Sequence, residues 1–548
     1  MCDLKHISVI LSNTCIVLVD TRWKMRVAIV PGSNVTFVNC TEHHLTRHFT
    51  GGGIYNIYVS KKNGSIVCNG PLLMNDVPDS NIPIYVTLGS FTGLAVLWIL
   101  VKKFYGSRAA FQIVYTVKAG RYRILDPNIS AERDLGRTTS VVDDDEEQPL
   151  LNPKPIKERL KSLDTFRGIS IVIMIFVNYG GGSYWFFSHS KWNGLTVADL
   201  VFPWFIFIMG TSMAFSFTAQ LRKGSSKSYI FLRVLRRSAL LFAFGLIING
   251  DHPIMDKFRI PGVLQRFAFT YVLTASMHLY YCSAGDPNKH KSWAPVRDIF
   301  NFWQEWIING IYIMLYLVFT FLLDVPMCPT GYLGPGGAAR DAGNESVMSC
   351  TGGAAGYIDR QIFTEPHIYQ GPTCEEVYDT TVPYDPEGLF GTFTSCFLCF
   401  LGLQAGKILR TFPGHIQRVR RFGIWAIVTG CIALVLCKAS KNDGWIPINK
   451  NLWSLSFVLA LAGMAFLLLS FCYVTIDVYN IWTGAPFYYP GMNSIALYMG
   501  HEIMSGRFPV AWEVPSMHAF LLPLNIWGTT VWVLLAWFLH YKGVFLSV

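Results

Sequence analysis

The stretch "RLKSLDTFRGISIVIMIFVNYGGGSYWFFSHSKWNGLTVADLVFPWFIFIMGTSM", residues 159–213, decides the fold. It carries most of two apolar runs, 166–187 and 197–219, joined by a short polar turn. Each run is long enough to cross a hydrocarbon core of about 30 Å. In lipid a helix satisfies its own backbone hydrogen bonds, so two such runs around a tight turn predict a membrane-spanning hairpin. The turn is not inert. His189 and Asn193 lie in it, Asp199 opens the second run, and Asn178 stands near the end of the first, before Gly180, Gly181 and Gly182. Polar side chains at this depth normally face the bundle interior or a wet cavity, and the glycines permit close backbone approach.

The pattern repeats outward from the hairpin. Residues 82–103 form an earlier run, and others fall at roughly 237–250, 262–282, 301–324, 388–408, 422–437, 453–475, 487–505 and 524–541. The expected fold is a polytopic all-α membrane bundle of about 11 transmembrane helices. Of the 548 residues 51% are hydrophobic and only 15% charged, against about a quarter charged in a soluble chain. The net charge of +10 does not point to nucleic acid, because the basic residues are spread over short loops such as "LRKGSSKSYIFLRVLRRS" and "ILRTFPGHIQRVRR". That is the footprint of cytosolic loops. An odd number of spans places the N-terminus in a lumen and the C-terminus in the cytosol. The sequons at Asn34, Asn39, Asn63 and Asn344 then fall on the lumenal side and only Asn128 does not.

Residues 1–81 alternate apolar and polar positions between Gly/Asn turns and predict a small N-terminal lumenal β-rich domain. Cys40 and Cys68 are available there to pair in an oxidising compartment. The opening "MCDLKHISVILSNTCIVLVD" gives no convincing signal peptide, since Asn13 interrupts a short apolar run. Residues 82–103 are the first transmembrane helix and 104–160 a cytosolic linker. Its "VVDDDEEQPLL" reads either as a disordered acidic segment or, through Glu146, Leu150 and Leu151, as an acidic dileucine sorting signal of the endosome–lysosome route. Residues 161–548 form a ten-helix transmembrane domain with a lumenal loop, 325–387. Cys328, Cys350 and Cys374 in that loop allow one disulfide and one leftover thiol, with the pairing open. "CFLC", Cys396 to Cys399, lies within a helix without a histidine or a second pair, so no metal site is predicted.

Placed on this topology, the polar residues collect at the lumenal face. Asp251, His252, Lys257, Arg259 and Arg266 surround "FRIPGVLQRF", Asn449, Lys450 and Asn451 lie in "IPINKNLWSLSF", and Asn493, His501 and Glu502 lie along "YYPGMNSIALYMGHE". Purely structural roles stand beside functional ones: Arg266 with Asp199 as an ion pair between helices, His501 with Glu502 as an interfacial anchor. An imidazole can attack an activated acyl group or act as a general base toward an amine or hydroxyl. Asp199 can fix the tautomer of His189, and the Asn178 amide can donate to a developing oxyanion. Asn193, Asn449, Asn493, His501 and Glu502 are the candidates for holding a substrate. No P-loop, G-x-S-x-G elbow or HExxH is present, so neither a serine triad nor zinc hydrolysis is supported.

These same blocks, continued through "CPTGYLGPGG", "YDPEGLFGTF", "GLQAGKIL" and "PINKNLWS", resemble the heparan-α-glucosaminide N-acetyltransferase family of lysosomal membrane enzymes. The likeness runs in order over nearly everything from about residue 156. It implies transfer of acetyl from cytosolic acetyl-CoA to the amine of terminal non-reducing glucosamine of heparan sulfate, in the lysosomal membrane. The family's active-site histidine maps onto His189 and its partner asparagine onto Asn178, with either an acetyl-histidine intermediate or direct transfer in a ternary complex. A homodimer is a further expectation from the family. CoA is polyanionic, which makes Arg167, Arg236, Arg237 and Arg266 its candidate contacts. An acidic lumen poses a difficulty, because an imidazole with an ordinary pKa of about 6.5 is protonated there, and an ionised Asp199 favours the imidazolium. Asp199 is therefore expected to orient the ring rather than to raise its basicity. The rival functions are a transporter of a sugar or organic anion, an acyltransferase acting on another glycan acceptor, and a non-catalytic glycan receptor. No internal repeat supports the first.

Overall fold

A computed structural model of the chain describes residues 25–26, 38–39, 46–47, 54–62, 65–75, 81–105, 160–250, 258–283, 294–338, 347–515 and 517–546. The dileucine residues Glu146, Leu150 and Leu151, the sequon asparagines 34, 63, 128 and 344, Cys40, and Asp251, His252 and Lys257 lie outside them. The chain divides into two compact units, one holding α1 (Ile82–Tyr105) and the other everything from Leu160 onward.

Ahead of α1 the described residues include β1 (Met25–Arg26), β2 (Val38–Asn39), β3 (Thr46–Arg47), β4 (Ile54–Lys62) and β5 (Ser65–Asn75). β1 pairs antiparallel with β3, Met25 opposite Arg47, and β2 pairs parallel with β5, Val38 opposite Ile66. Helix α1 is 24 residues long and leaves Leu94, Leu97 and Trp98 exposed, the surface a lipid-facing helix presents.

The larger unit is helical. Its longer helices are α2 (Lys161–Asn178), α3 (Val201–Arg222), α4 (Lys227–Ile248), α5 (Val263–Tyr281), α6 (Trp303–Leu322), α7 (Gly353–Phe363), α8 (Thr392–Thr411), α9 (His415–Leu436), α10 (Leu455–Cys472), α11 (Ser494–Ile503) and α12 (His518–Tyr541). Among the described residues seven stretches are long and apolar enough to cross a membrane: 82–101, 197–222, 303–322, 392–411, 415–436, 455–478 and 518–541. Helices α2, α4 and α5 are as long as a span but carry charges, Asp164 and Arg167 on α2 and Arg233, Arg236 and Arg237 on α4.

Helix α8 is buried along nearly its whole length, against α3, α5, α6 and α10. Lipid tails are as apolar as leucine, so such helices gain by close packing rather than by leaving the lipid. Small residues make that possible here. A Cβ on Gly210 of α3 would lie 1.9 Å from the Cys399 carbonyl oxygen, and one on Gly402 of α8 would lie 1.9 Å from that of Phe207. The Thr211 hydroxyl donates across the same contact to the Gly402 carbonyl at 2.9 Å.

Two expectations need correction. Helices α4 and α9 begin at Lys227 and His415 rather than 237 and 422, so Arg233, Arg236, Arg418 and Arg420 are helical rather than in loops. Basic residues are good helix formers and carry their charge outward on apolar stems, so hydropathy stops short of the helix end. The run 487–505 is two pieces, Tyr488–Met492 and Ser494–Ile503, broken at Asn493, whose φ and ψ are −121° and 31°. The loop 325–387 contains α7. Its disulfide joins Cys328 to Cys350 with Cα atoms 5.5 Å apart, and Cys374 is a buried free thiol.

Candidate active site

Helix α2 ends at Asn178, and Gly180, Gly181, Gly182 and Ser183 all follow with positive φ, at 108°, 55°, 67° and 62°. Only a glycine-rich run turns the chain this way without strain. Two residues of α12 hold the turn. Asn525 accepts from the Gly182 N–H at 2.7 Å and donates to the Tyr179 carbonyl, and His518 donates from Nδ1 to the Gly182 carbonyl at 2.8 Å. The His518 ring also stacks on Tyr184 at 4.2 Å. Nothing in the local sequence pairs His518 or Asn525 with residues more than 300 positions away.

The turn delivers His189 to Asp199. The Asp199 side chain is 0% exposed. Its Oδ2 accepts from the Ser190 N–H at 3.2 Å, the Thr196 N–H at 3.2 Å and the Thr196 hydroxyl at 2.9 Å. Its Oδ1 lies 2.8 Å from His189 Nδ1. An ionised carboxylate only accepts, so Nδ1 carries a hydrogen, and in the neutral ring Nε2 is the nitrogen with the lone pair. The His189 side chain is 39% exposed, which leaves the ring reachable. Lys450 completes the group, its Nζ 3.0 Å from Nδ1, 3.5 Å from Nε2 and 3.7 Å from Asp199 Oδ1.

Lys450 is the residue whose weight the sequence understates: it is visible only as one polar position among three. Its neighbours explain its placement. Asn449 is fully buried and donates to Asn193 Oδ1 at 3.0 Å, while its own Oδ1 accepts from the Leu452 N–H at 2.9 Å. The Gly194 N–H donates to the Ile448 carbonyl at 2.8 Å, and Asn193 donates to Asn442 at 3.2 Å. Asn193 and Asn449, expected to hold substrate, thus clamp the His189 turn to the segment that carries Lys450.

A second group forms at the end of α2. Asn178 donates to His501 Nε2 at 3.0 Å and Glu502 Oε1 at 2.8 Å, and His501 Nδ1 donates to the Leu497 carbonyl at 3.0 Å. Among the described residues no hydrogen bond joins Asn178 to His189, so the two residues stand in separate groups rather than one. Asn493 is elsewhere, bridging the Val544 carbonyl and the Leu546 N–H of the C-terminal segment.

The arginines separate likewise. Arg167 braces helices, donating to Asp164, Ser212 and the Gly491 carbonyl. Arg236 is exposed, and Arg237 lies over the Tyr271 ring at 4.9 Å. Arg266 does not pair with Asp199, whose cation is Lys450. It is 2% exposed, lies over the Trp453 ring at 4.7 Å and donates to the Gly388 carbonyl. Near it, Arg259 binds Asp385 through two 2.7 Å hydrogen bonds and Glu387 through one of 2.8 Å. Burial acts to lower the Arg259 pKa, and these carboxylates hold it above its ordinary value instead. Asp359 of α7 is 3% exposed, and burial pushes its carboxyl up to about 7, against the pull of the Phe390 N–H and Arg266. Among the described residues no three His, Cys, Asp or Glu side chains are grouped to hold a metal ion.

The sequence profile described as "Heparan-alpha-glucosaminide N-acetyltransferase, catalytic" matches residues 159–281, the stretch that contains Asn178, His189 and Asp199. The chain is 43% identical over 512 residues to the heparan-alpha-glucosaminide N-acetyltransferase of Homo sapiens, covering 90% of this chain and 76% of that protein. It is 46% identical over 400 residues to the enzyme of the same name from Mus musculus, covering 71% of this chain and 60% of that one. The chain therefore belongs to the heparan-alpha-glucosaminide N-acetyltransferase family, a family of acetyltransferases.

Proposed function

We propose that the chain moves the acetyl group of cytosolic acetyl-CoA to the amine of the terminal non-reducing α-D-glucosamine of heparan sulfate, at the lumenal face of the lysosomal membrane. The observation that supports this in a member of the family is the His189 group: a reachable imidazole, its Nδ1–H fixed on a buried carboxylate 2.8 Å away, with Nε2 left for chemistry. Helices α2, α4 and α5 and the broken 488–503 segment join the seven apolar stretches to make about eleven crossings, with the β1–β5 residues lumenal and the C-terminus cytosolic.

In a two-step route Nε2 attacks the thioester carbonyl, the C–S bond breaks and CoA leaves as its thiol after protonation. A neutral amine then attacks the acetyl-imidazole, forming the amide and freeing the ring. In a one-step route the amine attacks the thioester itself and Nε2 takes the amine's proton. Asp199 holds the tautomer that either route needs. Lys450 sets a positive charge against the ring and against Asp199 Oδ1. To donate to the tetrahedral oxyanion, Asn178 gives up one of its two amide hydrogen bonds, to His501 Nε2 or to Glu502 Oε1. Arg236 and Arg237 of α4 meet the nucleotide of CoA.

The test is transfer of labelled acetyl from acetyl-CoA to a glucosamine acceptor by purified protein in detergent. Wild type forms acetylated amine and His189→Ala does not; equal background in both rejects the proposal. Label retained on wild-type protein without acceptor selects the two-step route.

A further inference from the structure

A primary amine stands beside the nitrogen proposed to handle the acetyl group. Lys450 Nζ is 3.0 Å from His189 Nδ1 and 3.5 Å from Nε2. Those nitrogens are non-adjacent corners of a five-membered ring, and the in-plane hydrogen-bond direction of Nδ1 points away from Nε2. That direction is taken by Asp199 Oδ1 at 2.8 Å. An atom this near to both nitrogens therefore stands over the face of the ring and not in its plane. The backbone holds it there. Asn449 is fully buried and bonded to Asn193 and to the Leu452 N–H, and the Trp453 N–H donates to the Lys450 carbonyl at 3.1 Å. The lysine's four-carbon stem supplies the remaining freedom.

An acetyl group on Nε2 is conjugated with the imidazole and lies flat with it, so an amine attacks it from the face of the ring. Lys450 is on that face, and the acetyl carbon is one bond beyond Nε2. We infer that Lys450 is a self-acetylation site: without acceptor, its amine takes the acetyl group that His189 handles. The inference rests on the acetyl transfer proposed above and holds for either route, with Lys450 in the place of the sugar amine. Overall, the C–S bond of acetyl-CoA breaks and an amide C–N bond forms on Nζ. The proton that Nζ loses passes by way of Nε2 to the thiolate, and CoA leaves as its thiol. The reaction needs the free amine, because an ammonium has three N–H donors and no lone pair. As an ammonium, Lys450 pairs with Asp199 Oδ1 at 3.7 Å and cannot attack. Acid pH therefore protects the residue and alkaline pH exposes it. His189 and Asp199 are the titratable groups against Nζ, whereas Lys191 is bound by Glu376 and Lys441 lies against Gly194. Acetylation removes the lysine's charge and leaves the buried Asp199 without its cation, so activity falls as the modification accumulates.

The test incubates the full chain in detergent with labelled acetyl-CoA and no acceptor, at about pH 6 and about pH 9, then treats it with hydroxylamine and maps the peptides. Hydroxylamine strips acetyl from imidazole and leaves a lysine amide intact, which separates this label from an acetyl-histidine. Label on Lys450 that is about tenfold or more higher at the upper pH, as the neutral fraction of an amine requires, supports the inference. It should be absent from His189→Ala and suppressed in wild type by saturating glucosamine. Lys441, which is exposed on the same side of the turn, reports unassisted acetylation by the thioester. Label on Lys450 no greater than on Lys441, equal in His189→Ala, or indifferent to pH overturns the inference. If His189→Ala does not fold, the acceptor decides, because glucosamine does not block unassisted acetylation. Wild type that acetylates glucosamine but leaves Lys450 unmodified overturns the inference alone. Label on Lys450 without acetylated glucosamine supports it and rejects only the proposed acceptor. Neither label nor product rejects both.

Discussion

Two histidine–carboxylate–lysine groups stand at opposite ends of the helices. In one, His189 Nδ1 is 2.8 Å from Asp199 Oδ1 and Lys450 Nζ 3.7 Å from the same oxygen. In the other, at the far ends of α5, α6 and α8, His278 Nδ1 is 2.9 Å from Glu305 Oε1 and Lys407 Nζ is 2.6 Å from Glu305 Oε2. The side chains are nearly the same and the surroundings are not. All three of the second group are 0% exposed, and the Phe302 ring covers Lys407 at 3.8 Å. His189 is 39% exposed. An ionisable residue at membrane depth is a functional candidate by default, yet a sealed trio can only tie helices together. Reach, not composition, separates the group proposed to react from the sealed one.

The sharpest way to break this contrast is to truncate one member of each group. His189→Ala is expected to lower acetyl transfer by about 10²–10⁴-fold with little change in the thermal midpoint, because the ring is partly solvated. Lys407→Ala is expected to do the reverse. It leaves the buried Glu305 carboxylate with the His278 ring but without its lysine, a loss worth about 3–5 kcal/mol of stability, read as a large drop in the thermal midpoint in detergent with activity per folded molecule retained. A Lys407→Ala protein as stable as wild type removes the structural reading of the sealed trio. Asp199→Asn keeps the size of the side chain and weakens one charge-assisted hydrogen bond, so transfer should fall about tenfold to a hundredfold. A pH–rate profile unchanged in shape and height would remove Asp199 from the mechanism.

Legibility follows the same division. Apolar runs are local properties, so α1, α3, α6, α8, α9, α10 and α12 are visible in the sequence. Helix ends carrying arginine are not, as α4 and α9 show, because hydropathy falls where the helix continues. His189 and Asp199, ten residues apart, were readable as a pair. Lys450 reaches the same ring from 261 residues away, and His518 and Asn525 reach the glycine turn from 336 and 343. Packing makes those pairs, and no spacing announces them. Asn193 and Asn449 carry the right chemistry for substrate but are occupied with each other, which composition alone does not reveal.

The smallest expected effect sharpens the comparison at the His189 end. The Asp359 carboxyl is raised to about 7 in the folded protein, against about 3.9 for a free aspartate. Between those values the folded state keeps a proton that the unfolded state has released. Its contribution to stability is therefore full at acid pH, falls as pH rises through that window, and is flat above about 7. Thermal midpoints measured between pH 5 and 8 should decline in wild type and decline less in Asp359→Asn. Parallel declines would assign the pH dependence to other groups.

The most direct measurement is the rate of labelled acetyl transfer to glucosamine by His189→Ala, normalised to folded protein and run beside wild type. Product at background level from a variant with a wild-type thermal midpoint is the result expected of a reachable imidazole that handles the acetyl group. Product at the wild-type rate would contradict it.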